Sequence, residues 1–335
     1  MPGPQEVLQA KETHKDEIMA LPNVVGVGVG EKEVEGRKTG ELAVKVLVRL
    51  KLPEAGVPQQ ALVPSQVSDV PTDVVEVGEL RALQSRTSRW RPAPGGVSIG
   101  HFKITAGTLG CVVRDRNTGS RLILSNNHVL ANSNNAVPGD EILQPGPADG
   151  GQPGSDRIAV LERFCPIEFS SQPPTCGIAQ GFASLSNLLA RLIGSHHRLE
   201  ALQVNAQAVN LVDAAVARPD RDSDLLGDIL EIGLVTGTLP AQLGMLVRKS
   251  GRTTGLTTGE INTIGATVSI SYGSGRTATF ENQLVAGGMS QGGDSGSLIV
   301  TAESFNAVGL LFAGSDQATI FSPIQAVLDC LQVDL

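Results

Sequence analysis

Short apolar segments recur from about residue 97 to the C-terminus, and this pattern constrains the fold more than any other feature of the sequence. Glycines and other turn-forming residues separate each segment from the next. The segments lie at 108–113, 121–125, 158–162, 211–217, 246–248, 266–272, 297–300 and 307–312. Short strands at regular intervals, with turns between them, are typical of β-sandwiches and β-barrels. We therefore expect a mostly β domain over 97–335.

Two segments of this domain interrupt the β pattern. Residues 179–194 have the pattern of a helix that ends at a glycine, and we interpret them as part of a helical insertion at about 140–200. Residues 322–331 predict a short C-terminal helix, because Pro323 follows Ser322 and proline is favoured in the first turn of a helix.

Residues 1–81 predict a small α+β domain. Helix-forming residues precede three strand-like segments, at 24–30, 42–50 and 73–77, with a charged turn at 35–40. The Gly-Val repeat at 24–30 does not fit a dinucleotide-binding loop, because that motif requires a helix directly after its glycines. The role of this domain stays open among a propeptide-like, an inhibitory and a recruitment function.

Residues 82–96 are rich in Pro, Gly and Arg and show no apolar periodicity, so they predict a linker between the two domains. Three arginines, Arg86, Arg89 and Arg91, lie in this segment. They are compatible with a processing region that the protein cuts itself, and equally with an ordinary solvated linker.

The bulk composition excludes several classes of function. A net charge of −8 argues against nucleic-acid binding, which usually needs a basic surface. No apolar run approaches the ~18 residues of a transmembrane helix. The N-terminus lacks the pattern of a secretory signal, so we expect no membrane partner and a cytoplasmic location. A secreted protein would require a signal that has been removed from this sequence.

The four cysteines, Cys111, Cys165, Cys176 and Cys330, include no C-x-x-C pair. This spacing argues against a zinc site or a redox dithiol, and we expect neither a metal nor a cofactor. Four free thiols fit a reducing cytoplasm. In an oxidising compartment Cys165 and Cys176 would be the candidates for a disulfide, because they flank a short Pro-rich loop.

Three polar residues lie in sequence surroundings that suggest a specific role for their side chains. His128 directly follows the apolar segment 121–125, and Asp213 lies within an apolar run, where a buried carboxylate needs a partner. Ser295 lies among Gly292, Gly293, Asp294 and Gly296, which by themselves are equally typical of an ordinary turn. A carboxylate that orients an imidazole, which in turn deprotonates a serine, would explain all three residues together.

Together these segments resemble the trypsin/chymotrypsin-like serine peptidases, especially the bacterial ones. The chain order His128, Asp213, Ser295 is that of chymotrypsin, whereas the α/β-hydrolases have the order Ser, acid, His. The resemblance covers about 97–335. It rests on SNNHVL at 125–130, LVDAA at 211–215, KSGRTTG at 249–255, GDSGS at 293–297 and SPI at 322–324.

The resemblance implies a double six-stranded β-barrel with the active site in the cleft between the barrels. His128 and Asp213 would come from the first barrel and Ser295 from the second, with the backbone N–H groups of Gly293 and Ser295 as the oxyanion hole. Met289, six residues before the serine, would belong to the specificity pocket, and because it is not Asp, a preference for Arg or Lys is not implied. The implied wall of this pocket is Phe312, Ala313 and Gly314.

In the activated animal enzymes the counterpart of Asp294 pairs with a new N-terminal ammonium. No Ile-Val-Gly-Gly-like activation sequence occurs in this chain, so the role of Asp294 stays open. The expected function is a serine endopeptidase that hydrolyses protein or peptide substrates through an acyl-enzyme. The alternative is a latent or self-processing protein of the peptidase fold that acts mainly as a binding or scaffold module.

Overall fold

The structure is a computed structural model that describes residues 2–34, 37–52, 58–78 and 84–335. The chain divides into two compact units, Met1–Gln84 and Ser85–Leu335. The first two residues of the predicted turn at 35–40 and the predicted domain boundary at residue 81 lie outside the described residues.

The first unit is a helix packed on a four-stranded sheet. Its elements are α1 (Pro4–Met19), β1 (Val24–Val34), β2 (Arg37–Val48), a 3-10 turn (Gln59–Ala61), β3 (Gln66–Val67) and β4 (Val70–Glu76). The sheet order is β1-β2-β4-β3, with β2 and β4 parallel and the other pairs antiparallel. Alternate residues Val44, Val46 and Val48 face the helix because side chains on a strand alternate between its two faces.

The second unit begins with eleven strands and two helices. They are β5 (Ala93–Gly95), β6 (Ser98–His101), β7 (Gly107–Thr108), β8 (Cys111–Asp115), β9 (Arg121–Ser125), α2 (Asn127–Leu130), β10 (Glu141–Leu143), β11 (Arg157–Phe164), β12 (Ser171–Gln172), α3 (Gly177–Leu192), β13 (Gln203–Val204), β14 (Ala215–Pro219) and β15 (Leu225–Ile229). Short 3-10 turns lie at Pro147–Asp149 and Asp222–Asp224. The predicted helix at 179–194 corresponds to α3.

The rest of the unit contains eight strands and one helix. They are β16 (Gly237–Thr238), β17 (Leu246–Gly251), β18 (Gly255–Ser271), β19 (Thr277–Gly287), β20 (Leu298–Thr301), β21 (Asn306–Gly314), β22 (Ala318–Pro323), α4 (Ile324–Leu331) and β23 (Val333–Asp334). The predicted C-terminal helix corresponds to α4, but it begins at Ile324, because Ser322 and Pro323 are the last two residues of β22.

The strands of this unit close into two barrels. In the first barrel the strand order is β8-β9-β14-β11-β10-β6-β7. The strand β7 ends two residues before β8 begins, so β7 and β8 form one side of the barrel and close it. In the second, the order β19-β18-β17-β20-β21 is closed by β22, which pairs with both β21 and β19. Each ring therefore has six strands when β7 and β8 are counted together. The predicted double six-stranded barrel is confirmed.

Separate apolar clusters fill the two barrels. Ile99, Ile123 and Ala217 belong to the first, and Val247 and Phe321 to the second. A third cluster joins the barrels, since it combines residues of β8 and β9 with residues of β20, β21 and α4. The apolar contacts in this third cluster hold one barrel against the other, and they give the cleft between the barrels a defined shape.

The cysteine prediction was wrong in part. Cys165 and Cys330 form a disulfide, with 6.3 Å between their Cα atoms, while Cys111 is a buried free thiol and Cys176 an exposed one. The bridge joins the end of the first barrel's β11 region to α4, a contact across 165 residues that no local spacing reveals. The structure thus has one disulfide and two free thiols, and four free thiols no longer support a reducing compartment.

The predicted linker differs from what the structure shows for residues 85–96. The Trp90 side chain is buried, and β5 pairs with β15 of the same unit. Arg86 donates to the Ser250 hydroxyl and Arg91 to the Gln144 side chain, each at 2.7 Å. The composition marks a segment without helix or long strand, but it cannot reveal that the segment packs against a barrel.

Within the described part of the chain, no helix has the length and apolar character needed to cross a membrane.

Candidate active site

His128 and Asp213 are held by segments at one end of the first barrel. His128 lies on the single turn of α2, immediately after the buried strand β9. Asp213 lies two residues before β14, the strand that pairs with β9. The Asn126 side chain donates to the carbonyl of Asp213 at 2.7 Å and so ties the two segments together.

The Asp213 carboxylate orients the imidazole of His128. Its Oδ2 atom lies 2.6 Å from Nδ1 of His128, and its Oδ1 atom accepts the His128 backbone N–H at 3.2 Å. The carboxylate is completely buried, whereas the imidazole is partly exposed to the cleft. Because a carboxylate only accepts, Nδ1 carries the proton in the neutral ring, and Nε2 is left as the basic nitrogen.

Tyr272 is the residue of this site that the sequence did not reveal. Its hydroxyl donates to Asp213 Oδ2 at 2.7 Å, and its ring meets the His128 ring edge-on with 5.9 Å between centroids. Burial, followed by the negative charge of Asp213, raises the pKa of the Tyr272 phenol well above its ordinary value. Tyr272 follows β18 in the second barrel, and the only sequence signal is that it is the sole tyrosine of the chain.

Ser295 lies in the turn between β19 and β20 and lines the same cleft as His128. Thr108 of the first barrel fixes this turn: its N–H donates to Ser295 O at 2.7 Å and its hydroxyl to Gly293 O at 2.9 Å. No hydrogen bond joins Ser295 to His128 within the described residues. Such contacts are often longer without substrate and shorten when it binds.

The backbone conformation and the close packing around Ser295 require glycine at positions 293 and 296. Gly293 has φ +97° and Gly296 has φ +94°, a region that residues with a side chain rarely adopt. A Cβ on Gly296 would lie 2.1 Å from the Ser125 hydroxyl, so only glycine allows this approach of the barrels. Among the described residues the backbone N–H groups of Gly293 and Ser295 donate no hydrogen bond, and of these two residues Ser295 lines the cleft.

Asp294 is paired with Lys249 inside the second barrel. The Lys249 ammonium lies 3.3 Å from Asp294 Oδ2, and both side chains are completely buried. Burial disfavours the charged carboxylate, but hydrogen bonds from Thr254 Oγ1 and Gln291 N and the charge of Lys249 outweigh it, so the pKa of Asp294 lies below its usual value. Burial also lowers the pKa of the Lys249 ammonium.

The cleft has a volume of about 930 Å³, and its lining includes Phe312, Ala313 and Gly314. Met289 is not part of this lining: its side chain is buried in the core of the second barrel, beside Gly259. Its neighbour Ser290 does line the cleft, with its hydroxyl hydrogen-bonded to Thr319 at 2.9 Å. The structure thus brings together all the predicted pocket residues except Met289.

The described residues contain no group of three or more His, Cys, Asp or Glu side chains that could hold a metal ion. The cleft contains an imidazole held by a buried carboxylate, and the Ser295 hydroxyl belongs to a residue that lines the same cleft. These groups are chemically able to transfer a proton and to act as a nucleophile.

The overall architecture is similar to that of bacterial chymotrypsin-like serine proteases. A Nocardiopsis protease matches at 18% identity and a TM-score of 0.46, covering 72% of this chain and 97% of its own. Thermobifida fusca protease A matches at 17% and 0.45, covering 72% and 97%. A glutamic acid specific serine protease also matches at 17% and 0.45, covering 72% and 100%.

No protein-family model matches the sequence, and the sequences of the curated proteins give no match either. The geometry of the cleft is therefore the main guide to the function of this chain.

Proposed function

We propose that this chain is a serine endopeptidase with His128, Asp213 and Ser295 as its catalytic triad. The observation that carries the proposal is the His128 imidazole, held by a buried carboxylate at 2.6 Å and facing the cleft that Ser295 lines. A partly exposed imidazole held by a carboxylate can act as the general base that activates a serine as a nucleophile near neutral pH.

In the proposed reaction, Ser295 Oγ attacks the carbonyl carbon of a peptide bond while Nε2 of His128 takes its proton. Asp213 stabilises the imidazolium that forms and keeps it in the correct orientation. The imidazolium then protonates the leaving amine, which yields an acyl-enzyme on Ser295. A water molecule, deprotonated by the same imidazole, hydrolyses the ester and restores the serine.

The backbone N–H groups of Gly293 and Ser295 are the proposed oxyanion hole. Their separation along the chain by Asp294 alone lets both point toward one oxygen, and they would stabilise the negative charge of the tetrahedral intermediate. The buried pair of Asp294 with Lys249 supports this role, since it fixes the turn with a cation from within the chain. Assembly of the hole would then require no new N-terminal ammonium.

The proposed specificity pocket lies beside Phe312, Ala313 and Gly314. Met289 is buried behind it and would act on the pocket only through packing. We propose protein or peptide substrates. Because Met289 does not line the cleft, its side chain gives no basis for assigning a side-chain preference.

Covalent labelling by a fluorophosphonate tests the proposal. We expect the full-length protein to gain one phosphonyl group on Ser295, and the Ser295→Ala variant to gain none, because the alanine has no nucleophile. Ser290→Ala is the matched control, since Ser290 lines the same cleft and should leave the labelling unchanged. Equal labelling of wild type and Ser295→Ala would refute the assignment of the nucleophile.

The alternative, a latent or self-processing protein that acts mainly by binding, is favoured by one observation, the missing hydrogen bond between Ser295 and His128. The His128→Ala variant separates the two functions. If the triad operates, this change should slow the labelling by about a thousandfold or more. If labelling of the wild type is slow and the variant is no slower, the triad is not assembled and the binding function is the better account.

A further inference from the structure

Helix α3 presents an apolar face to solvent. We define the α3 apolar face as six side chains, each between 54% and 84% exposed: Ile178, Phe182, Leu185, Leu188, Leu189 and Leu192. No residue of this helix is buried. Large apolar side chains are tolerated singly on protein surfaces, but six on one helix form a continuous patch of the kind that marks an interaction site.

The partly buried residues of α3 lie on sides of the helix other than the apolar face; they are Ala179, Ala183, Ser186, Asn187 and Ala190. The Asn187 side chain donates to the carbonyl of Leu199 at 2.8 Å and accepts its N–H at 2.7 Å. Gln180, Ser184 and Arg191 lie close to Asn187 on the helix, since residues three and four apart share a helix face, but these three residues are exposed. The usual orientation of an amphipathic helix buries its apolar side, so α3 is fixed in the reverse orientation.

The charge around α3 differs from that of the whole chain. Residues 169–199 contain no Asp and no Glu, whereas the whole chain carries a net charge of −8. Their only formal charges are those of Arg191 and Arg198, and His196 and His197 lie between them. An apolar helix face with cations at one end therefore projects from an acidic protein.

We propose, in place of the expectation of no membrane partner, that the α3 apolar face binds the surface of a membrane that contains anionic lipids. A helix of this kind lies in the plane of the headgroups, with its apolar side chains in the acyl boundary and its cations near the phosphates. The 16-residue length of α3 suits this position, because a helix that lies flat does not have to span the bilayer.

Pairing with a second copy of the chain explains the same face less well. In a symmetric contact between two α3 helices, each copy meets the same segment of its partner. The nearest carboxylate after α3 is Glu200, beyond Arg198, so α3 itself offers no carboxylate to Arg191 of a second copy. Anionic headgroups would provide a partner for both arginines, and the acyl region would cover the leucines.

The position of α3 connects membrane binding to the cleft. The two ends of its segment meet at β12 and β13, where Ser171 pairs with Val204 and also with Thr277. Thr277 is the neighbour of Arg276, which lines the cleft. A membrane-bound α3 would hold the cleft near the bilayer and favour substrates located there. This consequence rests on the proposed function, whereas the binding itself does not.

Sedimentation of the full-length protein with vesicles tests the proposal. We expect at least about tenfold stronger binding to vesicles of phosphatidylcholine with phosphatidylglycerol than to phosphatidylcholine alone, with the difference reduced by salt. The double variant Leu185→Gln/Leu189→Gln should weaken binding by about tenfold or more, since two anchoring side chains are lost. Glutamine is nearly as good a helix former as leucine, so α3 should persist. Leu243→Gln, at an exposed leucine elsewhere in the unit, is the matched control.

A fluorophore on Cys176 gives a second measurement. Cys176 is exposed at the N-terminus of α3, and the backbone N–H groups of Ala179 and Ile178 lower the pKa of its thiol. Burial raises the pKa of the Cys111 thiol to about 12, and the other two cysteines are bridged, so a thiol reagent at neutral pH should select Cys176. An environment-sensitive dye there should shift its emission to the blue when anionic vesicles are added.

Three outcomes would overturn the proposal: no vesicle binding by the wild type, equal binding by the leucine double variant, or self-association without vesicles that the double variant abolishes. The last outcome would make the face an interface between copies. Fluorophosphonate labelling of Ser295 in the same variants is a separate measurement, and we expect it to be unchanged. Failure of the membrane test would not contradict the proposed activity, and failure of the labelling would not contradict membrane binding.

Discussion

Three hydrogen bonds converge on the Asp213 side chain, from the backbone and Nδ1 of His128 and from the hydroxyl of Tyr272. A carboxylate without solvent requires such donors, because an unpaired buried charge is strongly unfavourable. The donor from Tyr272 comes from the second barrel, whereas Asp213 and His128 belong to the first. Tyr272 is thus a positioning residue that links the orientation of the imidazole to the docking of the two barrels.

Replacing Tyr272 by phenylalanine removes this hydroxyl and keeps the ring. We expect fluorophosphonate labelling of Ser295 to slow by about tenfold, because a hydrogen bond to a charged group contributes about 1.5–3 kcal/mol and part of it supports the orientation of His128. Phe169→Leu is the control, as Phe169 packs on Tyr272 without a hydrogen bond to Asp213. An unchanged rate in Tyr272→Phe would mean that the hydroxyl only fills space.

Because the chain has one tyrosine, its ionisation can be read directly from the ultraviolet absorbance of the phenolate. In the wild type this absorbance should rise only at a pH well above 10, and Asp213→Asn should lower the midpoint by removing the neighbouring charge.

At the scale of elements, β17 and the turn before β20 are joined by the Lys249–Asp294 pair. We expect Lys249→Met to lower the free energy of unfolding by about 3–5 kcal/mol, since it leaves a buried carboxylate without its cation. Urea unfolding followed by the fluorescence of Trp90, the sole tryptophan, measures this in the second unit.

The double variant Lys249→Met/Asp294→Asn provides the control for that measurement. It leaves no unpaired charge, so it should recover part of the lost stability. If the free energy of unfolding of Lys249→Met is less than about 1 kcal/mol below that of the wild type, Asp294 does not need its counter-ion.

The eight predicted apolar segments of the second unit each overlap a strand, because apolar runs and turns alternate along the sequence. The strands β19 and β22, which close the second barrel, were not among the predicted segments. The catalytic candidates were predictable for a related reason: each lies in a recognisable segment, in a chain order that limits the alternatives. Tyr272 and Lys249 were not assigned roles from the sequence. Tyr272 contacts Asp213, 59 positions away, and Lys249 contacts Asp294, 45 positions away, and only the closed barrels bring these pairs together. The disulfide to Cys330 was missed for the same reason.

At the scale of the whole molecule, a buried histidine should link stability to pH. His101 is completely buried; its Nε2 lies 3.1 Å from Asp140, and its Nδ1 accepts the N–H of Lys103. Burial lowers the pKa of His101 more than Asp140 raises it, so the folded protein holds the ring neutral. The unfolded chain binds a proton at a pH near ~6.5, which the folded chain does not.

Stability from His101 should therefore be complete above about pH 6.5 and be lost as the pH falls below it, until the folded pKa is reached. The expected slope is at most ~1.4 kcal/mol per pH unit for one proton. Unfolding free energies between pH 8 and pH 5, measured through Trp90, should show a smaller slope in His101→Gln. His197→Gln, at an exposed histidine, should keep the wild-type slope; equal slopes in all three proteins would contradict the assignment.

The bridge between Cys165 and Cys330 encloses α3, Asp213 and Ser295 in one covalent ring, with His128 on the arm that leads into it. A single cut anywhere inside that ring, including one in the exposed helix, would release nothing. The two pieces would travel together on a gel until a reductant separated them, and their joint mass would differ from that of the intact chain by one water. A nicked molecule would thus keep its imidazole and its serine hydroxyl on one covalent body.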